Sequence, residues 1–232
     1  MTSPAFLPIN VIDQATPLAL PRKIYDINCR QCSRLAVYLD AIKLKYPSYF
    51  CRPVSPFGDA NAQLILVGLA PSAHGANQTG RPYTGSFAGK LLYQTLYKYG
   101  FASQPDSVAA NDSLTLINCR LTDAVKCAPP QNNPLPVEIS TCNQYLSAEL
   151  NNLTNDKIIL ALGVIAHGAV IKAFNLKMRH YKFGHANRHT LPNGIILIDS
   201  YHCSRYNTQT KRLTAAMFEQ IFCDIKQLLK TI

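Results

Sequence analysis

Four short apolar segments separated by helix-like stretches are the feature that most restricts the fold of this chain. Residues 64–69, 114–118, 157–162 and 195–199 are rich in Ile, Leu and Val, and Gly, Pro or polar residues follow each segment. Such runs are typical of buried β-strands. Helical spacing predicts helices in residues 33–45, 88–99, 137–152, 164–174 and 208–229. The alternation predicts an α/β fold, a three-layer α/β/α sandwich whose central four-stranded sheet is mostly parallel.

Length and composition favour one domain. The chain has 232 residues, of which 47% are hydrophobic and 16% charged, enough apolar material for a packed core. We expect a single domain over residues 1–232, with the proline-containing residues 1–23 as an N-terminal arm laid over it. No apolar run approaches the roughly 20 residues that a membrane span needs, and the first residues do not have the pattern of a secretory signal. We therefore expect a cytoplasmic protein without membrane contact.

The charge balance points to a polyanionic partner. Lys and Arg number 23 and Asp and Glu 13, which gives a formal net charge of +10. Cationic side chains that neutralise phosphates release condensed counterions, so a basic surface favours nucleic acid. On charge alone, an ordinary basic protein is the alternative.

The spacing of the cysteines divides them into two sets. In a reducing compartment the eight cysteines are better explained by metal ligation or burial than by disulfides. Cys29 and Cys32 form a C-x-x-C pair, and Cys127 and Cys142 form a second pair with four prolines between them. Four soft ligands suit zinc or an iron–sulfur cluster, and spacing alone leaves the metal open. The others are expected to be buried small hydrophobes: Cys51, Cys119, Cys203 and Cys223.

Two loops that follow predicted strands are the candidate functional segments. Residues 68–85 are dense in glycine and small residues but lack the motifs of a P-loop or of a dinucleotide fold. Residues 200–214 carry His202 into a polar, basic turn. Ligands of α/β sheets collect beyond the carboxyl ends of the strands, which favours a functional His202 over a structural histidine.

These segments resemble the signatures of the family 5 uracil-DNA glycosylases. The first lies in residues 68–85 and begins Gly68-Leu-Ala-Pro. The second is residues 124–134, Ala-Val-Lys-Cys-Ala-Pro-Pro-Gln-Asn-Asn-Pro, and the third is residues 202–214, which contain Ser204 and Asn207. The four spaced cysteines match the cluster ligands of the family in order and spacing. The resemblance therefore extends from Cys29 to Thr214.

The resemblance implies a monomeric, nucleoid-associated base-excision enzyme with an iron–sulfur cofactor. Such an enzyme flips a nucleotide out of double-stranded DNA and hydrolyses the N-glycosidic bond of uracil, or of another deaminated base such as hypoxanthine. The implied cofactor is a structural 4Fe–4S cluster, and its ligands would be Cys29, Cys32, Cys127 and Cys142.

The resemblance also implies roles for individual residues. His202 would donate a hydrogen bond to the departing base, while Asp123 and Ser86 are the candidates for orienting water; Asp123 could instead accept from N3–H of uracil. Tyr83 would stack on the base. The expected base-binding positions are Gly68, Leu69, Ala70, Ala73, His74, Tyr83 and Asn207. The expected phosphate contacts are Arg205, Lys211 and Arg212, whereas the basic residues 177–182 with Arg188 are either a second contact or a solvated face.

Three positions depart from the family pattern, and two alternative functions remain open. Ser86 stands where many relatives have an acidic residue, Asp123 where related branches have asparagine, and Cys203 where proline is usual. One alternative is a family 4 enzyme restricted to uracil. The other is a non-catalytic iron–sulfur protein that binds damaged or single-stranded DNA, which the serine at position 86 makes plausible.

Overall fold

The sheet contains six strands, four of them parallel. A computed structural model describes residues 23–231. The strand order is β1-β3-β2-β4-β6-β5; the inner strands β3, β2, β4 and β6 are parallel, and β1 and β5 pair antiparallel at the edges. The strands are β1 Phe57–Gly58, β2 Leu64–Gly68, β3 Cys119–Asp123, β4 Ile158–Leu162, β5 Arg188–Thr190 and β6 Ile196–Ser200.

Helices cover both faces of the sheet. Leu64 and Leu66 belong to a core packed by α3 and α7, whereas Ile65 and Val67 belong to a second core packed by α4 and α5. A strand that is buried on both faces must be apolar at successive positions, which explains its continuous run. The helices are α1 Ser33–Lys45, α2 Ala76–Thr79, α3 Phe87–Lys98, α4 Pro136–Leu150, α5 Val164–Ala173, α6 Arg205–Gln209 and α7 Ala215–Leu228. Within residues 23–231, no helix is long and apolar enough to cross a membrane.

The structure corrects three details of the predicted fold. The four-strand count was wrong because β1 and β5 are short, partly exposed edge strands without an apolar run. The second strand lies at Cys119–Asp123 rather than at residues 114–118, because buried polar residues interrupt its hydrophobic pattern. The predicted helix 208–229 is divided into α6 and α7, and the Thr214 side chain caps α7 by accepting from Met217 N–H. The predicted N-terminal arm lies outside the described residues except for Lys23.

Parallel pairing brings the ends of the inner strands together. Gly68 at the end of β2 is in register with Asp123 at the end of β3, and Leu162 of β4 is in register with Ser200 of β6. The segments that follow these strands therefore leave the same edge of the sheet, where ligands of α/β folds usually bind. They include both loops that the sequence singles out.

Candidate active site

Two side-chain oxygens converge on the backbone of Gly68. A Cβ atom at Gly68 would lie 2.3 Å from Asp123 Oδ1 and 2.3 Å from the Tyr83 hydroxyl oxygen. No side chain larger than hydrogen fits there, because real Cβ contacts are never this short. The glycine at the end of β2 therefore allows a carboxyl group and a phenol to meet at the strand ends.

Tyr83 is held in place by its own backbone. Its φ of 60° lies in the left-handed region, which is uncommon for a bulky residue and is typical of functional sites. The Ser86 hydroxyl donates to Tyr83 O at 2.7 Å, and a Cβ at Gly89 would lie only 1.9 Å from the same oxygen. The ring is buried, and within residues 23–231 the Tyr83 hydroxyl has no hydrogen-bond partner. Burial raises the pKa of Tyr83 well above its usual value. A buried polar atom without a partner is a candidate ligand contact.

His202 faces Tyr83 from the loop that follows β6. The two rings are stacked, with centroids 6.3 Å apart and planes inclined by 26°. Asn207 Nδ2 donates to His202 O at 2.8 Å and fixes the backbone of the loop. Burial lowers the pKa of His202 to about 4, because desolvation disfavours the charged form. At neutral pH the imidazole is therefore neutral and carries one N–H donor and one acceptor.

Asp123 brings an acidic group to the same place. Its side chain is only 5% exposed, and neither carboxyl oxygen has a hydrogen-bond partner within residues 23–231. Desolvation raises the pKa of Asp123 to about 7, with the lowering effect of Lys126 and the raising effect of Glu149 as smaller contributions. A carboxyl group in this state is half-protonated near neutral pH, which is unusual enough to mark a functional position.

The four cysteines with ligand spacing come together beside Ala70 and Val125, which follow the ends of β2 and β3. Cys29, Cys32 and Cys127 pack against Cys142 in a small core that includes Leu35 of α1. All four also line one pocket.

Burial and the neighbouring thiols raise the pKa of Cys32 to about 11 and that of Cys127 to about 12. Burial and mutual repulsion both disfavour the thiolate forms of these cysteines. A bound metal centre is cationic and would stabilise the thiolates. The donor set of these four side chains suits zinc or an iron–sulfur cluster, because cysteine thiolates are soft ligands.

Comparisons with known proteins show which family this chain belongs to. The model of the uracil DNA glycosylase superfamily matches residues 55–226. The type-5 uracil-DNA glycosylase of Thermus thermophilus is 42% identical over 205 residues, which cover 86% of this chain and 93% of the relative. The type-5 enzyme of Pyrobaculum aerophilum is 36% identical over 87% of this chain and 92% of its own. The chain belongs to the type-5 uracil-DNA glycosylases.

A type-4 relative is more distant. The type-4 uracil-DNA glycosylase of Archaeoglobus fulgidus is 28% identical over 65% of this chain and 62% of its own length. Higher identity over more of the chain thus favours the type-5 family over the type-4 alternative.

Ser86 has a structural task in this type-5 family member. Its hydroxyl accepts from Gly89 N–H at 3.0 Å and caps α3, while it donates to Tyr83 O. The one hydroxyl proton is thereby used, and one acceptor lone pair stays available. Its expected contact with water stays a prediction, and the structure gives Ser86 the role of fixing Tyr83 and the start of α3.

The other expected base-binding residues differ in how deeply they are buried. Gly68 is buried, and Leu69, Ala70 and Ala73 are partly buried. The His74 side chain is exposed, and its Nδ1 lies 3.1 Å from the Tyr49 hydroxyl. Asn207 acts on His202 through the backbone contact already described.

The expected phosphate contacts lie on the outside of the His202 loop. Arg205, Lys211 and Arg212 are all exposed. The Arg205 guanidinium lies 4.8 Å from the Phe87 ring centre, and that of Arg212 lies 4.7 Å from the Tyr201 ring centre. Such cation–π contacts hold the two arginines near the surface in a defined position. The residues of the second basic group, 177–180, 182 and 188, are exposed as well.

A buried charge network beneath Asp123 is absent from the sequence predictions. Glu149 of α4 accepts from Arg120 Nε at 2.6 Å and from the Thr122 hydroxyl at 2.8 Å. Lys126 Nζ contacts Thr122 and lies 3.6 Å from Glu149. All four side chains are buried. The sequence feature that could have indicated this network is the high number of polar residues in the inner strand β3.

A second buried polar group was also missed. His167 Nδ1 lies 2.7 Å from Asp199 Oδ1, and His167 Nε2 lies 2.9 Å from Tyr181 O. His189 Nε2 is 3.6 Å from Asp199 Oδ2, so the three side chains could together hold a metal ion. Both ring nitrogens of His167 already face oxygen atoms. Through His167, the group connects Tyr181, which precedes β5, with Asp199 of β6.

Proposed function

We propose that this type-5 family member is a base-excision repair enzyme that hydrolyses the N-glycosidic bond of uracil in duplex DNA. The observation that carries the proposal is the meeting of a neutral histidine, a stacked tyrosine and an unpartnered carboxyl group at the ends of the parallel strands. A wider range of deaminated bases, including hypoxanthine, belongs to the same proposal.

Base flipping is the first step that such a pocket requires. A base inside a duplex cannot be reached, so the nucleotide must leave the stack at a cost of a few kcal/mol, which is smallest for mispaired lesions. The Tyr83 ring would offer the flipped base a stacking surface. The backbone of Gly68, Leu69 and Ala70, together with that of Ala73 and His74, would line the rest of the pocket.

His202 would supply the main stabilisation of the transition state. As the C1′–N1 bond breaks, its electron pair moves onto the uracil ring, and negative charge accumulates on the base oxygen. A neutral imidazole N–H that is already in place stabilises this charge without reorganisation. Water adds to C1′ of the sugar and loses its proton, so the products are free uracil and an abasic site.

Few side chains are placed to activate the attacking water. Ser86 is engaged in two hydrogen bonds at the start of α3. Asp123 is the acidic group at the strand ends, and it either orients water or contacts the base. The oxocarbenium-like sugar needs only a weakly activated water when the departing base is well stabilised.

The basic surface would bind the DNA backbone. Arg205, Lys211 and Arg212 surround the loop that carries His202, so phosphate contacts there would place the flipped nucleotide over the pocket. We propose that the protein acts as a monomeric single domain on DNA in the cytoplasm. The net charge of +10 supports this partner.

The four clustered cysteines would hold a 4Fe–4S cluster. The ligands would be Cys29, Cys32, Cys127 and Cys142, which line one pocket and offer four soft thiolate ligands. When bound, the cluster would supply a rigid covalent link between three segments of the chain. Those segments are the residues before α1, the loop after β3 and helix α4, and β3 is the strand that ends at Asp123.

Single-turnover base release tests the proposal. Protein purified without oxygen should release uracil from a duplex that contains one uracil, and His202→Ala should remove most of this activity. An exposed residue of α3 provides the control, since Gln94→Ala should leave release unchanged. Tight binding of the uracil duplex without release, unchanged by His202→Ala, would instead identify a non-catalytic DNA-binding protein.

A further inference from the structure

Two histidines and one aspartate meet between α5, β5 and β6. His167 belongs to α5, His189 to β5 and Asp199 to β6, and one ligand atom from each lies within 4.8 Å of the other two. The His167 and Asp199 side chains are fully buried, whereas 16% of the His189 side chain is exposed. We propose that these three residues bind a structural zinc ion, at a site that shares no residue with the candidate active site.

The hydrogen bonding of His167 is the first support for a bound cation. Its Nε2 lies 2.9 Å from Tyr181 O, and a backbone carbonyl only accepts, so Nε2 carries the proton. In a neutral imidazole the other nitrogen, Nδ1, is then an acceptor, yet Nδ1 lies 2.7 Å from Asp199 Oδ1. A nitrogen lone pair and a carboxylate oxygen repel each other at this distance unless a cation joins them. That cation is either a proton or a metal ion.

His189 supplies the third ligand and thereby favours a metal ion over a proton. Its Nε2 lies 3.6 Å from Asp199 Oδ2 and 3.2 Å from Lys182 O, which offers a fourth donor. Two ligand atoms that are held about 2.0–2.1 Å from one tetrahedral zinc ion lie about 3.4 Å apart. The separations of 2.7 and 3.6 Å lie on either side of this value, so zinc would widen one contact and shorten the other. A single proton cannot join three side chains, whereas a zinc ion can.

The surrounding backbone orients the three ligands. A metal-bound histidine usually donates its other ring N–H to a carbonyl or a carboxylate, and the contact of His167 with Tyr181 O is of this kind. Gly184 N–H donates to Asp199 Oδ2 at 3.3 Å and holds the carboxylate in place. The exposed part of His189 gives an ion a route of entry from solvent.

Zinc is the metal that this set of donors suits best. Imidazole nitrogens with a carboxylate oxygen suit zinc, whereas magnesium and calcium prefer oxygen ligands and copper(I) prefers thiolates and thioethers. Two histidines and one carboxylate form the protein part of known zinc sites. The bound ion would connect α5, β5 and β6, and β6 is the strand that leads to His202. It would therefore stabilise the fold rather than take part in base release.

Thermal unfolding in the presence and absence of zinc tests the site. In free zinc at about 100 times the dissociation constant, the melting temperature of anaerobically purified protein should lie about 5–10 °C above its value in EDTA. His189→Gln removes one ligand at a partly exposed position, so this zinc-induced rise should vanish. His180→Gln changes an exposed histidine outside the group and should keep the full rise. Each rise is measured against the same protein in EDTA, so a change in the basal stability of a variant does not affect the comparison.

X-ray absorption at the zinc edge identifies the ligands in the wild-type protein and does not depend on any variant. Nitrogen and oxygen ligands lie about 2.0–2.1 Å from zinc, whereas thiolate sulfur lies about 2.3 Å away. We expect a shell of nitrogen and oxygen with the additional scattering of imidazole rings. Sulfur ligands, which would place zinc at the clustered cysteines, would overturn the inference. So would a wild-type melting temperature that zinc leaves unchanged, or an equal rise in His189→Gln. None of these results depends on the glycosylase function.

Discussion

The Tyr83 ring stacks on the His202 imidazole at a centroid distance of 6.3 Å. This contact joins the loop after β2 to the loop after β6, two segments far apart in the sequence. Because the Tyr83 backbone is fixed by Ser86, the position of the histidine depends on the start of α3 as well as on its own loop. The stacked pair is therefore the structural link between the base-stacking surface and the donor to the departing base.

Replacing His202 by alanine should slow base release about a hundredfold or more. The reason is the loss of one preorganised donor to the charge that develops on the uracil ring. The measurement is the single-turnover rate constant on a uracil duplex, with DNA affinity measured in parallel. Affinity should change little, because the phosphate contacts are elsewhere. An equal loss of rate and affinity would mean that His202 serves binding rather than catalysis.

Tyr83→Phe and Tyr93→Phe should change stability in opposite directions. The Tyr83 hydroxyl is buried without a partner, whereas the Tyr93 hydroxyl donates to Pro82 O at 2.8 Å. Removing an unsatisfied hydroxyl should raise the free energy of unfolding by about 1 kcal/mol, and removing the bonded one should lower it by a similar amount. Urea unfolding of the DNA-free proteins measures both. Destabilisation by both variants would show that Tyr83 has a partner after all.

The sequence was sufficient for the inner architecture because β2, β4 and β6 are buried on both faces and therefore apolar throughout. It failed at β3, where Arg120, Thr122 and Asp123 are polar yet buried. Their burial is compensated partly by Glu149, which comes from α4, and a local pattern cannot show a partner 27 to 29 residues away. The two edge strands were missed because pairing, not apolarity, defines them.

The same distinction applies to the site. His202 could be predicted because it directly follows an inner strand. The stacking of Tyr83 on His202 depends on a left-handed backbone at Tyr83, which no sequence pattern indicates for a tyrosine. The unpartnered state of Asp123 likewise results from the register of β2 with β3 and from the missing side chain at Gly68. The sequence could thus nominate residues that follow the strands, whereas the environment of each group could not be predicted.

Cys142→Ser should abolish the visible absorption of anaerobically purified protein and lower its melting temperature. Serine is a poor ligand for iron, and loss of one ligand breaks the link between α4 and the residues before α1. Cys223→Ser is the matched control, because Cys223 lies on α7 and is not among the four clustered cysteines. Absorption that survives in Cys142→Ser would exclude this residue as a ligand.

Lys211→Ala and Arg212→Ala should each reduce the salt dependence of DNA binding. Every phosphate contact contributes about one unit to the slope of log affinity against log salt, so each variant should lower the slope by about 1. Lys230→Ala, which removes an exposed charge near the end of α7, should leave the slope unchanged. The Arg212 variant should lose more affinity than the Lys211 variant, because the Tyr201 ring holds its guanidinium in place before DNA arrives. An equal fall in affinity at every salt concentration, with no change in slope, would mean that neither residue contacts a phosphate.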